Sequence, residues 1–149
     1  MTGAMTGTMT GTGLAAAAER LVGVPFRLHG RDPATGLDCI GVLAAALAAI
    51  GGTPRLPTGY ALRTFRVENL RAIATDCGLG RAIGPTEPGD VLLVRPAACQ
   101  LHLMIAASPD RLIHAHAGRG RVIAGPLPAH WPIAGRWRLA ASQSLMTMD

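Results

Sequence analysis

Cys39 follows Asp38 and opens an apolar, alanine-rich stretch, Cys39-Ile40-Gly41-Val42-Leu43-Ala44-Ala45-Ala46-Leu47, and His102, His114 and His116 lie far downstream in two short apolar runs. A cysteine that attacks a carbonyl needs a base to take the thiol proton. When that base is a histidine, a third group on its other ring nitrogen must fix its tautomer and orientation. One Cys and two or three His supply those parts. Taken singly, a cysteine in an apolar helix is more often a small core residue, and each histidine is about as often a satisfied, partly buried side chain. It is the combination that points to nucleophilic catalysis.

The local pattern says how these residues would be held. Gly36-Leu37-Asp38 reads as a tight turn ending in an Asp able to cap a helix, which predicts Cys39 in the first turn of that helix. Unpaired N–H groups and the positive end of the helix dipole at that position favour thiolate. Leu101-His102-Leu103-Met104-Ile105 and Leu112-Ile113-His114-Ala115-His116 read as two strands around the turn Ser108-Pro109-Asp110. In a hairpin with an odd-length loop His102 stands opposite His114, and a slip of two residues puts His116 there instead, on the same face. Pairing alone leaves both choices open. A Cys39-His102-His114 zinc site would have three ligands, no obvious fourth and none of the usual close pairs, so neither metal nor cofactor is expected.

Around these residues the chain divides into helices first and strands second. Met1 to Gly13 repeats Met-Thr-Gly without apolar periodicity and is expected to be disordered, or an overlong start with Met5 or Met9 as initiator. Leu14 to Val22 reads as a short helix ending at Gly23, and the cysteine helix ends at Gly51-Gly52. A loop over Thr53 to Gly59 leads to a third helix from about Tyr60 to Asp76, with Cys77-Gly78 as its end and Cys77 as a buried or capping-region thiol. Beyond Gly80 the period becomes two. The turn Glu87-Pro88-Gly89-Asp90 feeds a strand at Val91 to Arg95, followed by the two histidine strands, Arg121 to Ile123 and Arg136 to Leu139. This order predicts an α+β fold with N-terminal helices packed on a small antiparallel sheet. The expected organisation is a disordered segment over 1–13, one domain over 14–140 and a flexible tail over 141–149.

Composition narrows the partners. The 149 residues suffice for one core without disulfide staples, and Cys39, Cys77 and Cys99 form no CxxC pair that would suggest a zinc ribbon. All 14 basic residues are Arg and the formal charge is +5, which suits an anionic partner. The Arg residues are scattered and aromatics make up 3% of the chain, so base-stacking platforms are scarce and nucleic acid is the least favoured partner. No run of about eighteen apolar residues is present to span a membrane. Leu14 to Ala18 is too short for a signal-peptide core and has no basic flank, so synthesis in the cytoplasm without the ordinary secretory route is expected.

Five segments in order, Gly23-Val24-Pro25-Phe26-Arg27, Gly30 to Gly41 around Asp38-Cys39, Pro88-Gly89-Asp90-Val91, His102-Leu103-Met104-Ile105 and Ile113-His114-Ala115, resemble the NlpC-type peptidoglycan cysteine peptidases. The resemblance runs from about Leu14 to Leu139. It implies a papain-like α+β fold and hydrolysis of amide bonds in cell-wall peptides, typically at γ-D-glutamyl linkages. Carried over, Cys39 is the nucleophile, His102 the general base and His114 the group orienting it, with His116 a neighbour or alternative orienter. The Cys39 N–H would help hold the oxyanion. Asp38, Phe26, Ile40 and His116 fall at substrate-binding positions. Three departures bear on specificity: Ile40 replaces the usual Ser that, with the preceding Asp, helps recognise a free substrate amine; Phe26 replaces a Tyr; His29-Gly30 replaces a double Gly. An apolar residue after the Cys also resembles the branch of the family encoded with phage tails and gene transfer agents, which implies phage-like tail or hub proteins as partners. The competing expectation is a structural tail or adaptor module that keeps the fold without turnover.

Overall fold

The computed structural model describes residues 9–53, 67–97 and 100–139. Three helices, α1 (Gly11–Glu19), α2 (Cys39–Ala49) and α3 (Val67–Asp76), accompany a two-stranded ribbon, β1 (Arg31–Asp32) with β2 (Gly36–Leu37), and six further strands. These are β3 (Leu79–Arg81), β4 (Val91–Ala97), β5 (Gln100–Ser108), β6 (Arg111–His116), β7 (Arg121–Gly125) and β8 (Ile133–Leu139). They form one sheet in the order β3-β8-β4-β5-β6-β7, and every pairing in it is antiparallel. The architecture is α+β, with each strand expected from the period-two pattern present, and the β1–β2 ribbon and β3 in addition.

The sheet buries both faces, and the strands' alternation sorts residues between them. Leu93, Leu103, Ile105, Ile113, Ala115 and Leu139 join one core with Leu14 and Ala18 of α1 and Val42, Leu43 and Leu47 of α2. On the opposite face Leu92, Val94, Met104, Ala106 and Leu112 pack under Leu127 and Trp131, from the segment between β7 and β8. That segment carries no apolar period, so the sequence did not mark it as a cover.

The helix boundaries differ at the N-terminus. Helix α1 begins at Gly11, inside the segment expected to be disordered, because the Thr10 hydroxyl caps it by accepting from the Gly13 N–H at 3.0 Å. It also ends sooner, at Glu19, and turns carry the chain to Gly23 at φ +97°. Gly11 rests against the Pro88-Gly89 turn so closely that a Cβ on either glycine would strike the other segment's backbone. Helix α3 is described from Val67. Its expected start at Tyr60, the loop over 54–59, Cys99, residues 1–8 and the tail from Ser142 lie outside the described residues.

At the start of β4 the expected turn is present, with Asp90 accepting from the Glu87 N–H and Gly89 at φ +89°. Asp90 does more than close it. Fully buried, it accepts from Arg138 Nε at 2.7 Å and Nη2 at 2.9 Å, and from Arg136 Nη1 at 2.8 Å. The same guanidiniums donate to the carbonyls of Ile83, Gly84 and Pro85, tying that loop to β8. Burial alone would raise the Asp90 pKa; Arg138, the Glu87 N–H and Arg136 outweigh it and hold the carboxyl below its ordinary value.

Candidate active site

Asp38 is the N-cap of α2, as its sequence position predicts: its side chain accepts from the Gly41 N–H at 2.8 Å. The same carboxylate accepts from the His29 N–H at 2.8 Å and from Arg31 Nη1 at 3.1 Å. Arg31 thereby neutralises a fully buried acid. Gly41 has no room for a side chain, since a Cβ there would collide with the Gly30 carbonyl. His29, at the place of the first family glycine, has φ +61°, a conformation that favours glycine. These contacts fold the 27–37 loop against the start of α2 and hold Cys39 in its first turn.

The sheet is open where that helix start approaches it. Strands β5 and β6 pair from Ser108 and Arg111 only as far as Ile105 and Ile113, although β5 runs back to Gln100 and β6 on to His116. The Leu103 backbone reaches the Cys39 thiol there. A cleft of about 240 Å³ lies over the opening, walled by Phe26, Cys39, Gln100, His102, His116 and Trp131 among others. A larger hollow of about 550 Å³ lies at the β3–β8 edge, and among the described residues no cysteine or histidine lines it.

Continued outward, the β5–β6 register puts His116 across from His102 and His114 on the diagonal. The hydrogen bond nevertheless goes to His114: His102 Nε2 and His114 Nδ1 are 2.8 Å apart, with the rings edge to face. Of the two partners left open by spacing, this selects His114. His116 is held differently, its Nδ1 accepting from the Arg119 N–H at 3.0 Å. Trp131 stands edge-on to both rings of the bonded pair, 6.0 Å from His102 and 5.9 Å from His114 between centroids. Sequence reasoning passed over Trp131, which sits in an irregular Pro-rich segment without a partner signal.

The electrostatics overturn the expectation of a thiolate. Cys39 is 4% exposed, and burial pushes its thiol up to about 11; Leu103, Ile40 and its own backbone act the other way, and Asp38 adds to the rise. Desolvation exceeds what the helix start offers. Burial, followed by His114 and His116, pushes His102 down to about 3, and burial with His116 pushes His114 down to about 4. At neutral pH the Cys39 thiol and the His102 and His114 imidazoles therefore all rest uncharged.

The remaining expected site residues divide. Phe26 and His116 line the cleft with Cys39 and His102. Asp38 and Ile40 do not: Asp38 is consumed by its cap and ion pair, and Ile40 is turned into the helix-side core. Among the described residues no group of three or more His, Cys, Asp or Glu is arranged to hold a metal ion.

The fold is that of NlpC and P60 domain proteins. NlpC2 from Trichomonas vaginalis superposes with a TM-score of 0.66 at 14% identity, over 94% of this chain and 50% of that one. The peptidoglycan hydrolase RipB from Mycobacterium tuberculosis does so with a TM-score of 0.56 at 19% identity, over 85% and 62%. The P60 domain of an antigen from M. avium subspecies paratuberculosis gives 0.55 at 19%, over 85% and 91%. The chain thus spans about half the length of NlpC2. No protein-family model and no curated protein sequence matches it.

Proposed function

We propose that this chain is a papain-like cysteine peptidase of the NlpC type that hydrolyses amide bonds in peptidoglycan peptides through an acyl-enzyme. The observation that carries the proposal is the bonded pair His102–His114 in one cleft with Cys39. With Nε2 of His102 donating to Nδ1 of His114, the other nitrogen of His102 keeps its lone pair for the thiol. In the reaction the Cys39 proton passes to His102 as sulfur bonds the carbonyl carbon, and the Cys39 N–H donates to the oxyanion. His102 then protonates the departing amine, leaving a thioester. A water loses its proton to His102 and attacks that thioester, releasing the carboxylic acid and restoring the thiol. Because thiol and imidazole start neutral, proton transfer accompanies attack. Phe26 and His116 would contact the substrate, and no cofactor is needed.

Support for a cell-wall substrate comes from the fold shared with RipB, and Ile40 after the cysteine supports placing the chain in a phage-like tail, acting on the wall with tail or hub proteins as partners. The test is incubation of wild type and Cys39→Ala with peptidoglycan from several bacteria, with mass spectrometry of the soluble products. New peptides from wild type alone are expected. Equal release by the Cys39→Ala protein would sink the proposal. The high thiol pKa favours a second reading, a structural module without turnover. It predicts no products from folded wild type.

A further inference from the structure

Arg121 begins β7 and pairs directly across from His116 of β6, so the two side chains stand on the same face of the sheet, about 5 Å apart at Cβ. His116 lines the cleft, and Arg121 is exposed beside it and joins no ion pair among the described residues. The backbone holds the arginine there. The Pro25–Arg121 bridge and the Phe26 N–H donating to the Gly120 carbonyl at 2.8 Å fasten the start of β7 to the segment that carries Phe26, another lining residue. Among the described residues no Asp or Glu lines the cleft. The nearest acid in sequence to the nucleophile, Asp38, has a side chain 1% exposed and is bound by the Arg31 guanidinium, the His29 N–H and the Gly41 N–H.

A substrate ammonium entering this cleft would thus find no carboxylate among the described lining residues, while a substrate carboxylate reaching past His116 would meet, just outside that lining, a guanidinium suited to bidentate binding. We propose that Arg121 is a specificity-determining residue that binds a carboxylate on the peptide, and that the cleft, unlike one built to select a free terminal amine, accepts peptides whose amine is blocked. The turnover arm of its test rests on the peptidase activity proposed above; the binding arm does not.

The experiment uses four versions of one γ-glutamyl peptide, with the α-carboxylate free or amidated and the N-terminus free or acetylated. Wild type and Arg121→Gln are compared for kcat/KM by mass spectrometry. Cys39→Ala, with and without Arg121→Gln, is titrated with the same peptides by NMR. Acetylation is expected to change kcat/KM and Kd less than about threefold, and amidation to weaken both about tenfold in the presence of Arg121 and little without it. A preference of tenfold or more for the free amine, amidation without effect, or no binding of any peptide overturns the proposal. If no peptide is cleaved but binding still follows the carboxylate and Arg121, the peptidase activity fails and the recognition stands.

Discussion

Two polar clusters occupy the same face of the sheet, and they are built on opposite principles. At the β4–β8 end Asp90 is charged, fully buried and saturated, with two guanidiniums and the Glu87 N–H around it. At the β5–β6 end His102 and His114 are uncharged, joined by one hydrogen bond, and flanked by Trp131 instead of a counter-ion. A saturated cluster has nothing left to exchange, so it serves the fold. An undersatisfied one keeps a basic nitrogen with no charge to stabilise it, which a proton donor such as Cys39 can use. The difference separates polar burial that holds a loop from polar burial that can do chemistry.

The comparison breaks first under substitution of the histidines. His102→Ala should lower kcat by about 10²–10⁴ with only a modest fall in the thermal unfolding midpoint, measured on wall peptides and by calorimetry. Asp90→Ala should do the reverse: loss of about 3–5 kcal/mol of stability, since Arg136 would lose its carboxylate and Arg138 would keep only Glu87 at 3.6 Å, with turnover per folded molecule intact. Denaturant titration beside a thiol count of folded protein tests this.

Acid should separate the clusters by pH. His102 and His114 have folded pKa values of about 3 and about 4, below the ordinary 6.5, so the unfolded chain takes up their protons first. Their contribution is complete above 6.5 and is lost as pH falls toward 4 and then 3, at up to about 1.4 kcal/mol per pH unit for each. Asp90, also depressed, holds its contribution until pH drops below its ordinary 3.8. Unfolding midpoints between pH 7 and pH 3 should therefore decline early in wild type and less steeply in His114→Gln. The smallest effect belongs to the exposed Arg111–Glu19 pair joining β6 to α1. Arg111→Ala should shift the unfolding midpoint least of all, and less still in high salt, despite a bidentate contact at 2.8 and 2.6 Å.

Much of this was legible in the sequence because its signals are local. Asp38 before an apolar run announced the cap, and period-two alternation announced the strands and put His102 and His114 on one face. What escaped depends on distant partners. The Pro88-Gly89-Asp90 turn was plain, but that Asp90 would meet Arg136 and Arg138 required the β4–β8 register, for which two arginines spaced by two on one strand were the available hint. Ideal hairpin geometry missed the opening of β5 from β6, so spacing left His114 and His116 both open as partners of His102, and it was the family resemblance that pointed to His114. The thiolate expectation weighed the helix dipole without the desolvation that only packing reveals. The Thr10 cap was hidden by repeats that read as featureless.

The core shared by α1, α2 and the sheet also sets an order of events on the ribosome. The apolar faces of both helices are synthesised well before residues 91–139, which cover them. At about 5–20 residues per second, those faces wait for seconds without their partner strands. Until β8 leaves the exit tunnel, a nascent chain of this protein carries those faces uncovered, and only then can the sheet close over them.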